Sequence, residues 1–435
     1  MNSERLARDI IELLRARGHQ ALLVGGCVRD LLLERAPKDW DVATSATPDQ
    51  VAALFPGSQL VGAHFGVVLV RSGDAAVEVA TFRSDHDYQD GRHPASVTFE
   101  TDPREDVLRR DFTINALLLD PADNRVLDYV DGQQDLRDGI VRTVGPAHRR
   151  FAEDHLRMLR AIRFAARFGF TIEAETMAAI QELASEIRSV SAERVRDELV
   201  RILTEGGARR GFELLDESGL LARILPEVAA MKGVPQPPEF HPEGDVWTHT
   251  LIMLGLMDNP SVTLALGVLL HDVAKPPTFR VADRIRFDGH AELGARMAAE
   301  IMTRLRFSLD EVEAVRALVA GHMRFRDVQT MKESTLKRFL RTHHFDEHLE
   351  LHRIDCTSSH GMLDNWDYAR RKLEEVPPEQ LRPPRLITGE DLIAQGYRPG
   401  PLFREILEAV ETAQLEGRLA TSEDAQRFVR ENYGK

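Results

Sequence analysis

The stretch Val24-Gly25-Gly26-Cys27-Val28-Arg29-Asp30, followed by Lys38-Asp39-Trp40-Asp41-Val42, decides the reading of this chain. A Gly-Gly turn lets backbone N–H groups come close to a phosphate. The Asp-x-Asp downstream is expected to put two carboxylates on one side of a strand, because strand side chains alternate. Carboxylates so placed suit divalent cations held against a triphosphate. Either half alone describes an ordinary turn or an acidic strand end. In this order and spacing they point to nucleotidyl transfer, the attack of a hydroxyl on an α-phosphate with pyrophosphate leaving. Arg29, about one helical turn beyond the glycines, has the planar fork of a phosphate clamp. Glu78, in Val77-Glu78-Val79 on an expected neighbouring strand, is the candidate third carboxylate.

Working outward, 435 residues are too many for one core and fit two to four domains. A hydrophobic share of 43% with 29% charged residues describes a globular protein. No apolar run approaches the roughly 18 residues of a membrane span. The N-terminus reads as an amphipathic helix rather than a signal peptide, with Ser3 as cap, Leu6, Ile10, Leu13 and Leu14 on one face, and Gly18 as stop. Cys27 and Cys356 give no disulfide framework, and the expected location is the cytoplasm. A net charge of −14 excludes a broadly basic coat. Yet arginines cluster twice, first at 149, 150, 157, 160, 163 and 167, then at 188, 194, 196, 201, 209 and 210. Two such clusters in an acidic chain indicate a phosphate-binding surface.

The first part alternates helix and strand patterns. Strands are expected at 21–24, 67–70, 77–80, 114–119 and 125–129. From Arg149 the period becomes helical, with helices expected at 151–168, 174–187, 191–203 and 209–218, stopped by Gly169, Gly206 and Gly219. Val234-Pro235-Gln236-Pro237-Pro238 reads as a linker, and a further helical block runs from 245 to 368. A Pro-rich piece at 376–384 precedes a last helical segment. The expected domains are an α/β domain at 1–145, a helical, arginine-rich region at 146–233, a second helical domain at 234–375 and a C-terminal helical segment at 376–435.

Two further blocks bear on chemistry in the first half. Arg109-Arg110-Asp111-Phe112-Thr113-Ile114-Asn115 offers groups for phosphates and ribose hydroxyls. In Glu153-Asp154-His155-Leu156-Arg157, Asp154 and Arg157 are expected as neighbours on one helix. A carboxylate accepts and a guanidinium donates. That pair matches the amino donor and ring acceptor shared by cytosine and adenine, and rejects the reverse order of uracil and guanine. The alternative for the pair is a surface ion pair of little consequence.

GGCVRD with KDWD, EVATFR (Glu78–Arg83), DGRHP (Asp90–Pro94), RRDFTINAL (Arg109–Leu117) and EDHLRMLRAIRFAARFGF (Glu153–Phe170) together resemble the class II tRNA nucleotidyltransferase and bacterial poly(A) polymerase family. The resemblance covers about the first half of the chain. It implies a polymerase-β-like α/β head followed by an all-α neck, body and tail. It further implies that Asp39 and Asp41 hold Mg2+, that Gly26, Arg29 and Arg110 hold nucleotide beside Gly25, and that Asp154 and Arg157 read the base with Arg160 and Arg163 in support. The expected partners are the tRNA 3′ end, CTP and ATP, with no membrane and no evident protein partner. Val61-Gly62-Ala63-His64-Phe65-Gly66-Val67 is similar to the Gly-x-x-Phe-Gly pattern of CCA-adding members. The loop 84–96 is also present, whereas CC-adding specialists tend to lack a flexible loop there. Full CCA addition is therefore expected first, an A-adding specialist next, and poly(A) synthesis after it.

In the second half, His249, His271-Asp272 and Asp355 resemble the HD metal-dependent phosphohydrolase pattern. These residues are candidate ligands for a divalent transition metal that activates water, with His290 and His322 for a second site. His241, His343, His344, His348, His352 and His360 are read as surface or core histidines. Two rival readings follow. One makes this domain the main phosphohydrolase and the head a nucleotide sensor. The other is a noncatalytic RNA-binding protein with both sites degenerate.

Overall fold

Strand pairing in the first half builds a seven-stranded mixed sheet. A computed structural model describes residues 2–61, 66–88, 94–239 and 241–434. It parts into two compact units, 1–229 and 230–435.

In the first unit the strands are β1 (Ala21–Val24), β2 (Asp41–Thr44), β3 (Gln59–Leu60), β4 (Val67–Ser72), β5 (Ala75–Thr81), β6 (Arg83–Tyr88), β7 (Pro94–Phe99), β8 (Leu118–Asp120) and β9 (Arg125–Leu127). The main sheet runs β3-β4-β5-β2-β1-β8-β9, and β6 pairs with β7 as a separate ribbon. All pairs in the main sheet are antiparallel except β2 with β5, whose parallel register sets Asp41 beside Glu78. Along β5, Ala75, Val77, Val79 and Thr81 are buried, which turns Glu78 to the opposite, open face. Leu22, Val24, Ala43, Phe82, Val107 and Leu118 form a core against the sheet. At about 25 cal/mol per Å2 of apolar surface, such burial is the main force holding the strands in this register.

Several local expectations change. Asn2, not Ser3, caps the first helix (Ser3–Ala16), its side chain accepting from the N–H of Arg5 at 3.0 Å. That helix buries Ile11 along with Leu6, Ile10 and Leu14, while Leu13 is only half-buried. Asp39 lies in a bend before β2, so only Asp41 is in the strand. The expected strand at 114–119 is a short 3-10 turn, Thr113–Asn115, before β8; Thr113 and Asn115 spend their side chains on Asp135 and Asp111 there. The expected helix at 151–168 is two helices, Ala147–Glu153 and Leu156–Phe168. Asp154 between them is extended (φ −153°, ψ 107°), and its carboxylate caps the second helix through the N–H of Leu156 at 3.1 Å. Helices Ala192–Thr204 and Ala208–Glu217 fall within a residue or so of expectation. Gly207 (φ +76°) sits between them where a Cβ would come within 2.2 Å of the Ala166 carbonyl oxygen.

The second unit is mainly helical. Val246–Leu256, Val262–Leu270, His290–Arg304, Leu309–Gly321 and Phe345–Ser358 surround its histidine cluster. A small hairpin, Arg280–Val281 with Ile285–Arg286, interrupts the block that the sequence reads as all helix. Residues 234–238 are not a free linker, because Gln236 is buried and accepts from Lys275 Nζ. In the tail, Ile387, Leu392, Ile406, Val410, Ala425 and Val429 form their own core.

Candidate active site

Gly25 adopts φ +77°, a conformation closed to most side chains, and a Cβ there would sit 3.3 Å from Arg110 Nη1. The missing side chain thus lets the Arg110 guanidinium lie over the turn. Arg110 is aimed by Asp106, which takes Arg110 Nη2 at 2.8 Å on one oxygen and Arg109 Nη2 at 2.6 Å on the other. Burial opposes charge on Asp106, but the two arginines outweigh it and hold the carboxyl below its usual range. Across the turn, burial pushes Asp41 up to about 6; Glu78 and then Asp39 add to the shift, and Arg110 opposes it. Asp41 and Glu78 sit side by side in register, and Asp39 adds its charge from the bend before β2. Negative charge gathered this way, all on oxygen, suits a hard divalent cation, although among the described residues the three do not close to ligand spacing of one another.

Arg29 does not extend a free fork. It is buried, donates to Asp30 Oδ1 at 2.6 Å and to Asn115 Oδ1, and lies 4.7 Å from the Phe168 ring centroid. Arg163 is likewise buried and donates to Glu198 Oε2 at 2.6 Å, so it pins helices Leu156–Phe168 and Ala192–Thr204 together instead of facing a ligand. Arg160 reaches Asp111 Oδ2 at 2.6 Å. Burial opposes charge on Asp111, but Arg160 and then Arg157 hold its carboxyl well below the usual range.

Asp154 and Arg157 are not partners of each other. Asp154 takes Arg194 on both oxygens, at 2.7 and 3.2 Å. Arg157 gives Nη1 to Glu153 Oε2 at 2.7 Å and to the Arg150 carbonyl at 3.0 Å. The sequence reading missed Glu153 as the holder of Arg157 and Arg150 as the tie beneath it. Arg150, buried, donates to the carbonyls of Leu108, Arg109 and Val144 and to Glu153. It also missed Asp106, although its i,i+3 and i,i+4 spacing to two arginines was a usable signal. Residues 62–65 of the Gly-x-x-Phe-Gly pattern, 90–93 of Asp90–Pro94, and 89–93 of the loop 84–96 lie outside the described residues.

The second unit gathers its expected ligands into one cluster. His249 Nε2 lies 3.2 Å from Asp355 Oδ1, and His271 Nε2 lies 3.0 Å from Asp272 Oδ2. His290 and His322 bring Nε2 to 3.6 and 3.8 Å from Asp272 Oδ1, and to 3.2 Å from each other. The rings of His271, His290 and His322 each offer Nδ1 to a backbone carbonyl, of Val268, Phe287 and Val319. Nδ1–H is thereby fixed, and each bare Nε2 lone pair faces inward. Nε2 of His249 and His271 and Oδ1 of Asp272 are buried without a hydrogen-bond partner among the described residues. Lone pairs turned on carboxylates repel unless a cation joins them, so this set fits a transition metal of mixed imidazole and carboxylate ligation. In the absence of a cation, burial works against charge on His249 but Asp355 and Glu243 push its pKa up to about 9, so a metal bound there would have to displace the Nε2 proton. Glu243 was not foreseen; it accepts from Nδ1 of both His249 (2.7 Å) and His241 (2.9 Å). Lys275 Nζ, also unforeseen, lies 2.6 Å from Asp272 Oδ2. His348 and His352 are core histidines, lowered to about 4 by burial, while His343, His344 and His360 are exposed.

Comparison with known proteins bears on both sites. Family models match residues 21–142 as a poly A polymerase head domain, 169–232 as a probable RNA and SrmB-binding site of polymerase A, and 246–364 as an HD domain. A head and an HD domain of these kinds indicate dependence on divalent metal. The chain is 44% identical over 214 residues to the CCA-adding enzyme of Geobacillus sp. (strain WCH70), a match that spans 49% of this chain and 53% of that relative. Against the CCA-adding enzyme of Lactobacillus johnsonii it is 30% identical over 419 residues, 96% of this chain and 95% of the relative. Against that of Leuconostoc mesenteroides it is 31% identical over 427 residues, 98% and 96%. The crystal structure of Bacillus stearothermophilus CCA-adding enzyme in complex with CTP superimposes with a TM-score of 0.76 at 26% identity, covering 99% of this chain and 97% of that one. Matches that run nearly end to end, on a head where Asp41 pairs with Glu78 and Arg110 covers the Gly25 turn, make this chain a member of the CCA-adding enzyme family of nucleotidyltransferases.

Proposed function

We propose that the chain adds C, C and A in turn to the tRNA 3′ end, taking CTP and ATP with Mg2+ and no nucleic-acid template. The observation that carries this reading is the parallel register of Asp41 with Glu78 beside the Arg110-covered Gly25 turn. Asp39, Asp41 and Glu78 are the acidic anchor. When bound there, Mg2+ supplies charge neutralisation and a lower pKa for the attacking hydroxyl. Gly25, Gly26 and Arg110 bind the triphosphate. Asp154 and Arg157 meet the base edge, Arg160 supports them through Asp111, and Arg29 and Arg163 hold the surrounding helices and turn in place. The division into head (1–145), neck (146–233), HD domain (234–375) and tail (376–435) belongs to the same reading, as does a cytoplasmic location beside the tRNA pool.

The test offers tRNAs ending before the first C, after it and after the second C, with each nucleoside triphosphate separately. Stepwise extension to CCA is expected. Extension only of the tRNA that already ends in CC would make this an A-adding specialist, and long A tracts a poly(A) polymerase.

A second activity is favoured by the partnerless inward atoms of His249, His271 and Asp272. The HD cluster would hydrolyse phosphoesters with a divalent transition metal held by His249, His271, Asp272 and Asp355. Phosphoester hydrolysis supported by Mn2+, Co2+, Ni2+ or Zn2+, and lost in the His271→Ala, Asp272→Ala double variant, is the expected result. No hydrolysis with any of the four ions would make the cluster structural.

A further inference from the structure

Asp154 carries three donors at once. Its Oδ1 accepts from the N–H of Leu156 at 3.1 Å and from Arg194 Nη1 at 3.2 Å, and its Oδ2 accepts from Arg194 Nη2 at 2.7 Å. Such a fork fixes both the position and the plane of a carboxylate. An ionised carboxylate has about four lone-pair sites. With three taken, one is left, which is what a single N–H of an exocyclic amino group requires.

Arg194 is itself held from below. It lies in the first turn of helix Ala192–Thr204. That helix is fastened to helix Leu156–Phe168 by Arg163 to Glu198 at 2.6 Å, both groups buried, and just beyond its end by Arg167 to Glu205 at 3.2 Å. The facing half of the pair is fixed separately, through Arg157 to Glu153. Both of the Arg157 bonds use Nη1, which leaves Nη2 and Nε for another acceptor. Acceptor and donor are thus oriented by different neighbours, 40 residues apart in sequence for Asp154.

We infer that Arg194 is a positioning residue for base selection: by clamping both oxygens of Asp154 it leaves the carboxylate one acceptor direction, and so sets the preference for amino-bearing bases over keto-bearing ones. The inference rests on the reading of Asp154 and Arg157 as the base-contacting pair. A carboxylate released from the clamp can turn, and misplacement of a positioned group by about 1 Å costs on the order of a hundredfold in the step it serves.

The experiment measures kcat/KM for CTP and for UTP on tRNA ending before the first C, in the full-length protein. Arg194→Ala is expected to lower the CTP:UTP ratio by roughly tenfold or more. Arg194→Lys, which keeps the charge but not the fork, should recover part of it. Asp154→Ala is run beside them. If Asp154→Ala lowers the ratio and Arg194→Ala slows both nucleotides alike with the ratio intact, Arg194 is a helix tie only and the inference is wrong while the base-reading pair stands. If neither variant moves the ratio, the base-reading pair itself fails and takes the inference with it. Should Arg194→Ala not fold, Arg194→Gln gives the same ratio test with a shorter donor.

Discussion

Asp41 is asked to be charged in a place that disfavours charge. Its pKa is raised to about 6 by burial, Glu78 and Asp39, against an ordinary value near 3.8. Below pH 4 the carboxyl is protonated whether the chain is folded or not. Between pH 4 and 6 the unfolded chain releases the proton first, so a stability cost grows with pH and is complete above about 6. Asp41→Asn is therefore expected to stabilise the metal-free protein, by about 1–3 kcal/mol at pH 7.5 and less at pH 5. Thermal denaturation with a chelator at the two pH values checks this. The same variant should abolish CTP incorporation while tRNA binding stays near normal. The Gly25-Gly26 turn and Asp41 at the start of β2 were legible in sequence because they are local; the bend that keeps Asp39 out of the strand was not. The partners of Asp154 and Arg163 were not either, since a list of arginines does not say which carboxylate each one meets across 35 or more residues.

At the level of elements, Gly207 decides how closely helix Ala208–Glu217 approaches helix Leu156–Phe168. With φ +76° and a backbone oxygen 2.2 Å from the place of a Cβ, even alanine forces the chain to move. Gly207→Ala is expected to cost about 2–3 kcal/mol. Urea titration would measure it, and loss below 0.5 kcal/mol would mean that the helices part easily. Helices Ala192–Thr204 and Ala208–Glu217 were readable from period and glycine stops, whereas the helix expected at 174–187 turns 3-10 after Leu183. The break at Asp154 was not, because the apolar series Leu156, Leu159, Ile162 continues the pattern of Phe151 and hides a side chain that caps the following turn. The 3-10 turn at Thr113–Asn115 escaped for a similar reason: Ile114 and its apolar followers read as a strand, but half-buried Asp111 and buried Asp135 draw the polar side chains to them.

Across the whole molecule, the two centres lie in separate compact units. The His271→Ala, Asp272→Ala double variant should therefore lose its bound transition metal, measured by elemental analysis, while CCA addition keeps its rate. A fall in incorporation equal to the fall in metal content would tie the centres together. On the proposed function, a chain of net charge −14 meets tRNA through exposed arginines such as Arg201, Arg209 and Arg210, since Arg150, Arg157, Arg160 and Arg163 of the first cluster are spent on carboxylates. Raising salt from about 50 to 200 mM should accordingly raise KM for tRNA well before it raises KM for CTP.

The single parallel seam in the main sheet has a further effect. Side chains alternate across a strand, so sliding β5 past β2 by one position would swing Glu78 among the packed valines and bring Val77 or Val79 out beside Asp41. A strand zipped one position out would lose both its apolar packing and the carboxylate beside Asp41, so the register that stabilises the sheet is the one that places the acid.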